Sequence, residues 1–92
     1  MEKIVSLQNG RVKSWKKLAT KKGREQQKTY LLDGWHLVKE AIAANEVLVS
    51  VMGTHDAWRE YRDDLPTGLN AFEISDEVAK AIGDTVTPQG IF

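Results

Sequence analysis

TYLLDGWHLVKEAIA, residues 29 to 43, changes its apolar spacing halfway along. Tyr30, Leu31 and Leu32 form a short apolar run that stops at Asp33 and Gly34; Leu37, Val38, Ala41 and Ile42 then fall on one face of a helix. The spacing predicts strand, tight turn, helix. Charge also reverses here, because the chain is strongly basic up to Lys28 and acidic from Thr29 on.

Downstream the same alternation continues. The helix from Trp35 is expected to run to about Ala44, and VLVSVM, residues 47 to 52, reads as a buried strand because it is short, apolar and rich in β-branched residues. Thr54 caps a predicted helix over His55 to Asp63, with Ala57, Trp58 and Tyr61 on one side; Leu65 to Gly68 breaks it. Asn70 to Ile74 alternates with Phe72 and Ile74 on one face, and Ser75 opens a helix over Asp76 to Ile82 that Gly83 ends. Strand and helix in alternation predict an α/β fold, a small three-layer α/β/α domain with a mixed, largely parallel sheet.

Upstream, Asn9 is a good N-cap, and Val12, Trp15, Leu18 and Ala19 follow at helical spacing, so a basic helix is expected over about residues 10 to 22. Gly23 reads as its stop, with Lys21 and Lys22 at the negative end of the helix dipole. Lys13, Lys16, Lys17 and Thr20 share one face, with Arg24 just beyond, while the Trp15 stripe points elsewhere. Arg24 to Lys28, REQQK, reads as a polar connector.

The 92 residues suffice for one domain with a single core. Cysteine is absent, which excludes a disulfide framework, a thiolate metal site and a thiol nucleophile, and suits a reducing compartment. The longest apolar run is far too short for a bilayer and the N-terminus lacks a signal-peptide core, so a cytoplasmic protein with no membrane partner is expected. The formal charge of zero conceals a dipole: residues 1–28 hold nine basic against two acidic side chains, a balance of +7, and residues 29–92 hold four against eleven, a balance of −7. Such asymmetry points to a polyanionic partner for the basic segment.

No catalytic motif is present: no phosphate loop, no dinucleotide fingerprint, no His/Cys cluster and no nucleophile-elbow serine. His36 and Glu40 stand at helical spacing but read as a surface pair rather than as metal ligands. Asp63 and Asp64 read as solvated charges, and His55 beside an N-cap needs no function. The basic helix is the one constellation above background, since clustered Lys and Arg bind phosphate backbones with counterion release. Trp15 is able to stack on a base, yet its place between Val12 and Leu18 makes it a core residue.

SLQNGRVKSWKKLATKKGRE, then YLLDGWHLVKEAI, then DEVAKAIGDTVTPQGI resembles, nearly end to end, the N-terminal substrate-binding domain of the SpoU (TrmH) family of RNA ribose 2′-O-methyltransferases. Its most specific parts are Asn9 with Lys17, Leu18 and Arg24; Gly34, Leu37, Val38, Glu40 and Ala41; and Thr87 to Ile91. Asp33 departs from the family, which more often has Glu before the glycine. The resemblance implies a fold related to kink-turn-binding ribosomal proteins. It also implies an RNA substrate-binding domain over residues 1–84, and a linker over residues 85–92 toward a missing C-terminal methyltransferase domain. That domain would bind S-adenosylmethionine, dimerise and hold the catalytic residues, so this fragment is expected to have no cofactor, metal or catalytic site of its own. The expected partner is RNA, rRNA ahead of tRNA. Asn9, Lys17 and Arg24 carry over from the motif; Arg11, Lys13, Lys16, Lys21 and Lys22 join the RNA-binding set on charge. A free-standing RNA-binding protein of the same fold and a protein-interaction module with an acidic partner stay open. Reading the gene beyond Phe92 separates the first, and a direct RNA-binding assay the second.

Overall fold

The computed structural model describes residues 1–83 and 89–92. Its elements in order are β1 (Glu2–Ile4), α1 (Gly10–Lys17), α2 (Lys21–Gln27), α3 (Trp35–Ala43), β2 (Val51–Gly53), α4 (His55–Tyr61) with a following 3-10 turn (Arg62–Asp64), β3 (Ala71–Ile74) and α5 (Asp76–Ile82). The three strands form a parallel sheet in the order β1-β3-β2, with Ile4 opposite Ile74 and Met52 opposite Phe72. Beyond β2 the chain end adds an antiparallel neighbour. Ile91 bridges to Gly53, and Met52 and Phe92 exchange both backbone hydrogen bonds at 2.9 and 2.8 Å.

Side chains alternate across this sheet as strand geometry requires. On one face Ile4, Met52, Phe72, Ile74 and Phe92 pack with Val12 and Trp15 of α1 and Val78, Ala79 and Ile82 of α5. On the other, Val51 and Ile91 pack with Val38 of α3 and Ala57 and Trp58 of α4. The result is the expected three-layer α/β/α domain with a largely parallel sheet. Helix starts follow their caps: Thr54 accepts from the Ala57 amide and Ser75 from the Val78 amide. Helices α3, α4 and α5 and strand β3 lie where the sequence places them, within a residue or two.

Three expectations fail. Tyr30 to Leu32 is not a strand: among the described residues its backbone has no hydrogen-bond partner, and Tyr30 is 65% exposed. The third strand is instead Glu2–Ile4, whose single inward apolar residue, Ile4, gave no alternation to read. The strand expected over residues 47–52 is reduced to Val51–Gly53, with Val47 90% and Val49 62% exposed. The single basic helix over residues 10–22 is in fact two helices, and Gly23, read as a stop, lies inside the second.

The chain end also departs from the expected linker. Gly90, Ile91 and Phe92 are buried, and the Gln89 side chain accepts from the Trp35 amide at 2.8 Å, capping α3. Gly34, the residue before that helix, has φ +108°, a conformation open to glycine, and a Cβ there would stand 2.8 Å from the Gln89 Oε1. Two of the motifs quoted above therefore meet in space. Residues 85–88 of the expected linker fall outside the described residues.

Candidate nucleic-acid interface

Helix α1 begins at Asn9, whose Oδ1 accepts from the Arg11 amide at 2.8 Å, so this side chain is committed to the cap. The helix ends at Leu18, and Thr20 starts the next one by accepting from the Gly23 amide at 3.0 Å. A Cβ on Gly23 would lie 1.9 Å from the Lys17 carbonyl oxygen; only glycine lets the two helices approach this closely. Arg24 donates to the Leu18 carbonyl at 3.0 Å, placing its guanidinium at the negative end of α1, and the Gln27 amide donates to the Ser14 carbonyl at 2.8 Å. These bonds fold residues 10–27 into a helical hairpin. The sequence reading missed it because REQQK carries no apolar period; the signal that could have revealed it is Thr20, a cap three residues ahead of Gly23.

The hairpin divides the expected RNA-binding residues into two groups. Asn9, Arg11 and Arg24 have structural partners: Arg11 pairs with Glu2 at 3.2 Å and lies 4.9 Å above the Phe72 ring, tying α1 to β1 and β3. Lys21 sits 3.9 Å from Glu25 on the open surface, where screening leaves such a pair little strength. Lys13, Lys16, Lys17 and Lys22 are exposed and, among the described residues, have no ion-pair partner. Lys28, at the hairpin's left-handed C-cap with φ 54°, is a fifth such cation that the sequence reading did not single out. Beside the hairpin lies a polar depression of about 270 Å³ lined by Arg11, Ser14, Gln27, Ser50, Asn70 and Phe72.

Trp15 is a core residue, buried edge-on to Phe72 with ring centroids 5.6 Å apart. His36 and Glu40 form the exposed surface pair expected, at 3.1 Å. Asp63 and Asp64 are exposed in the 3-10 turn. His55 and Lys3 both approach the Glu73 carboxylate, at 3.6 and 3.4 Å. Among the described residues no three His, Cys, Asp or Glu side chains gather as a metal site would require, and no helix is long and apolar enough to cross a membrane. Tyr61, stacked on Trp35 at 4.4 Å, has its phenol pKa raised, first by burial and then by the neighbouring Glu60 carboxylate.

Comparison with known proteins agrees with this architecture. The chain is 36% identical over 91 residues to RlmP of Bacillus subtilis (strain 168), a 23S rRNA (guanosine(2553)-2′-O)-methyltransferase; the match covers 99% of this chain and 36% of that protein. It superposes on the crystal structure of an RNA 2′-O ribose methyltransferase with a TM-score of 0.81 and 24% identity, over 97% of this chain and 35% of the other, a likeness of fold. The chain thus spans about a third of the length of these proteins. Residues 9–92 match the MRM3-like substrate binding domain, and the chain belongs to that family.

Proposed function

We propose that this domain binds RNA, rRNA ahead of tRNA, on the outer face of the α1–α2 hairpin and presents it to a ribose 2′-O-methyltransferase domain of the same longer protein. The observation that carries the reading is the division within the hairpin. Folding uses Arg11 and Arg24, whereas Lys13, Lys16, Lys17 and Lys22 remain exposed without ion-pair partners among the described residues. Cations in that state attract a phosphate backbone without first breaking an internal pair. Family membership and the 23S rRNA named for RlmP support the choice of RNA over an acidic protein.

The domain's part in the reaction is to hold RNA at high local concentration beside the catalytic centre. S-adenosylmethionine supplies the methyl group in this reading, and the residues described here do not fit it. The larger cavity, about 320 Å³, offers, among the described residues, a single carboxylate, Glu46, to the ribose hydroxyls and cationic groups of that cofactor. The turn at Gly34 is filled by Gln89 rather than open to a ligand. Cofactor, dimer contacts and catalysis are therefore assigned outside this domain, in a protein that works in the cytoplasm. Fluorescence anisotropy with a 23S rRNA fragment tests the proposal together with calorimetry against S-adenosylmethionine. RNA binding with no cofactor heat is expected; no RNA binding, or cofactor binding by these 92 residues, contradicts it.

A further inference from the structure

The polar depression of about 270 Å³ beside α1 collects hydrogen-bonding side chains that the fold leaves unused. Ser14 lines it from α1 and Gln27 from the end of α2, while Ser50 and Asn70 stand just ahead of the neighbouring strands β2 and β3. Their surroundings are fixed: the Asn70 carbonyl accepts from the Val51 amide at 3.0 Å, and the Ser14 carbonyl accepts from Gln27 Nε2 at 2.8 Å. Among the described residues, the Ser14 and Ser50 hydroxyls and the Asn70 side-chain amide have no hydrogen-bond partner, and Gln27 keeps its Oε1 as an acceptor. Arg11 completes the wall. Its Nη1 donates to both Glu2 carboxylate oxygens, at 3.3 and 3.2 Å, and its guanidinium lies 4.9 Å from the centroid of the Phe72 ring. The group is held in place, and among the described residues its Nε and Nη2 donors are still unspent.

We propose that this depression binds one unpaired nucleotide base of the RNA, guanine in preference to the other three. This rests on the reading of the hairpin as an RNA-binding surface and adds to it the part that reads sequence. Phosphate contacts position an RNA, whereas contacts to base edges specify it, and a base splayed out of a helix exposes those edges. The exposed lysines suit phosphates: Lys17 follows Ser14 by one turn of α1, and Lys28 follows Gln27. The depression suits a base, because it combines a fixed guanidinium with neutral amide and hydroxyl groups and has no carboxylate among its lining residues. Guanine sets O6 and N7 side by side as acceptors for the arginine fork, and its N1–H and N2–H groups find acceptors in the Asn70 and Gln27 side-chain oxygens. Adenine places a donor, N6, beside N7, and cytosine and uracil each match only part of the set. An acidic protein segment would meet a single cation here, already paired with Glu2.

The test measures the affinity of the protein, at one salt concentration, for four RNA hairpins that are identical except for a single unpaired base. The guanine RNA should bind about tenfold or more tightly than the others. Asn70→Ala removes an exposed side chain that the fold does not use, and Arg11→Lys keeps the charge but loses the fork. Each should shrink the guanine preference by about fivefold, with chemical denaturation showing that the variant is folded. Lys13→Glu/Lys17→Glu should instead weaken all four RNAs alike and preserve the preference. If Arg11→Lys loosens α1, Asn70→Ala alone decides. Equal affinity for the four RNAs, or a preference for another base, overturns the proposal and leaves the proposed function standing. A guanine preference that survives in folded Asn70→Ala also overturns it, by moving base reading elsewhere. No binding to any of the four removes the proposed function as well.

Discussion

Helix α2 and the α/β body beneath it are held by different forces. The body buries Ile4, Val51, Trp58, Ile74, Val78 and Ile91 almost completely, and its helix caps and strand pairs serve that packing. In α2 only Gly23 is buried; the hairpin is joined by polar links instead, from Arg24 to the Leu18 carbonyl, Gln27 to the Ser14 carbonyl and Thr20 to the Gly23 amide. Helix α1 belongs to both regions: Val12 and Trp15 are buried in the core, while Lys13, Lys16 and Lys17 stand exposed. Residues 29–92 hold four basic and eleven acidic side chains, so the exposed cations concentrate in the hairpin.

The largest effect that would break the comparison lies in the body. Trp58→Ala removes a buried indole whose Nε1 donates to the Phe72 carbonyl at 3.0 Å, and is expected to cost about 3–5 kcal/mol, visible as a lower urea midpoint for the whole domain. A loss restricted to α4 would show that the core does not act as one unit.

Next comes the hairpin junction. Gly23→Ala drives a methyl into the Lys17 carbonyl and is expected to cost about 1–3 kcal/mol. Hydrogen exchange should speed up in α2 and leave β2 and β3 protected, and RNA affinity should fall although no charge has changed. Equal loss of protection in β3 would mean that the hairpin and body are one folding unit.

The same contrast explains which parts of the fold are legible in the sequence. Helices α3, α4 and α5 announce themselves through caps and apolar spacing, because their stability comes from the face they bury. The α1–α2 break does not, since its cause is a glycine packed on a distant carbonyl and an arginine reaching back six residues. Tyr30 to Leu32 and Val47 to Val49 have strand composition, but a strand exists only with a partner, and partners are not written in local sequence. Charge counting finds Lys13, Lys16, Lys17 and Lys22 but cannot separate them from Arg11 and Arg24, whose roles depend on Glu2, Phe72 and the end of α1.

The smallest effect sharpens the contrast from the acidic side. The Tyr61 phenol, against Trp35 and beside Glu60, has a folded pKa above its ordinary value of 10.0. Its contribution to stability is therefore intact below pH 10 and is lost as pH rises through the raised folded value. Thermal melts of the wild type should fall in this window more steeply than those of Tyr61→Phe. Parallel curves would place Tyr61 in ordinary solvent.

The most direct test is the salt dependence of RNA affinity for the wild type and for Lys13→Glu/Lys17→Glu, with chemical denaturation run on both proteins. If about four phosphates are neutralised, the wild-type log–log slope should lie near about −3 to −4 and become shallower by about 2 in the variant, whose affinity falls across all RNA sequences while its stability is unchanged. Unchanged affinity and slope in a variant that remains folded would remove the hairpin lysines from RNA binding and contradict the account.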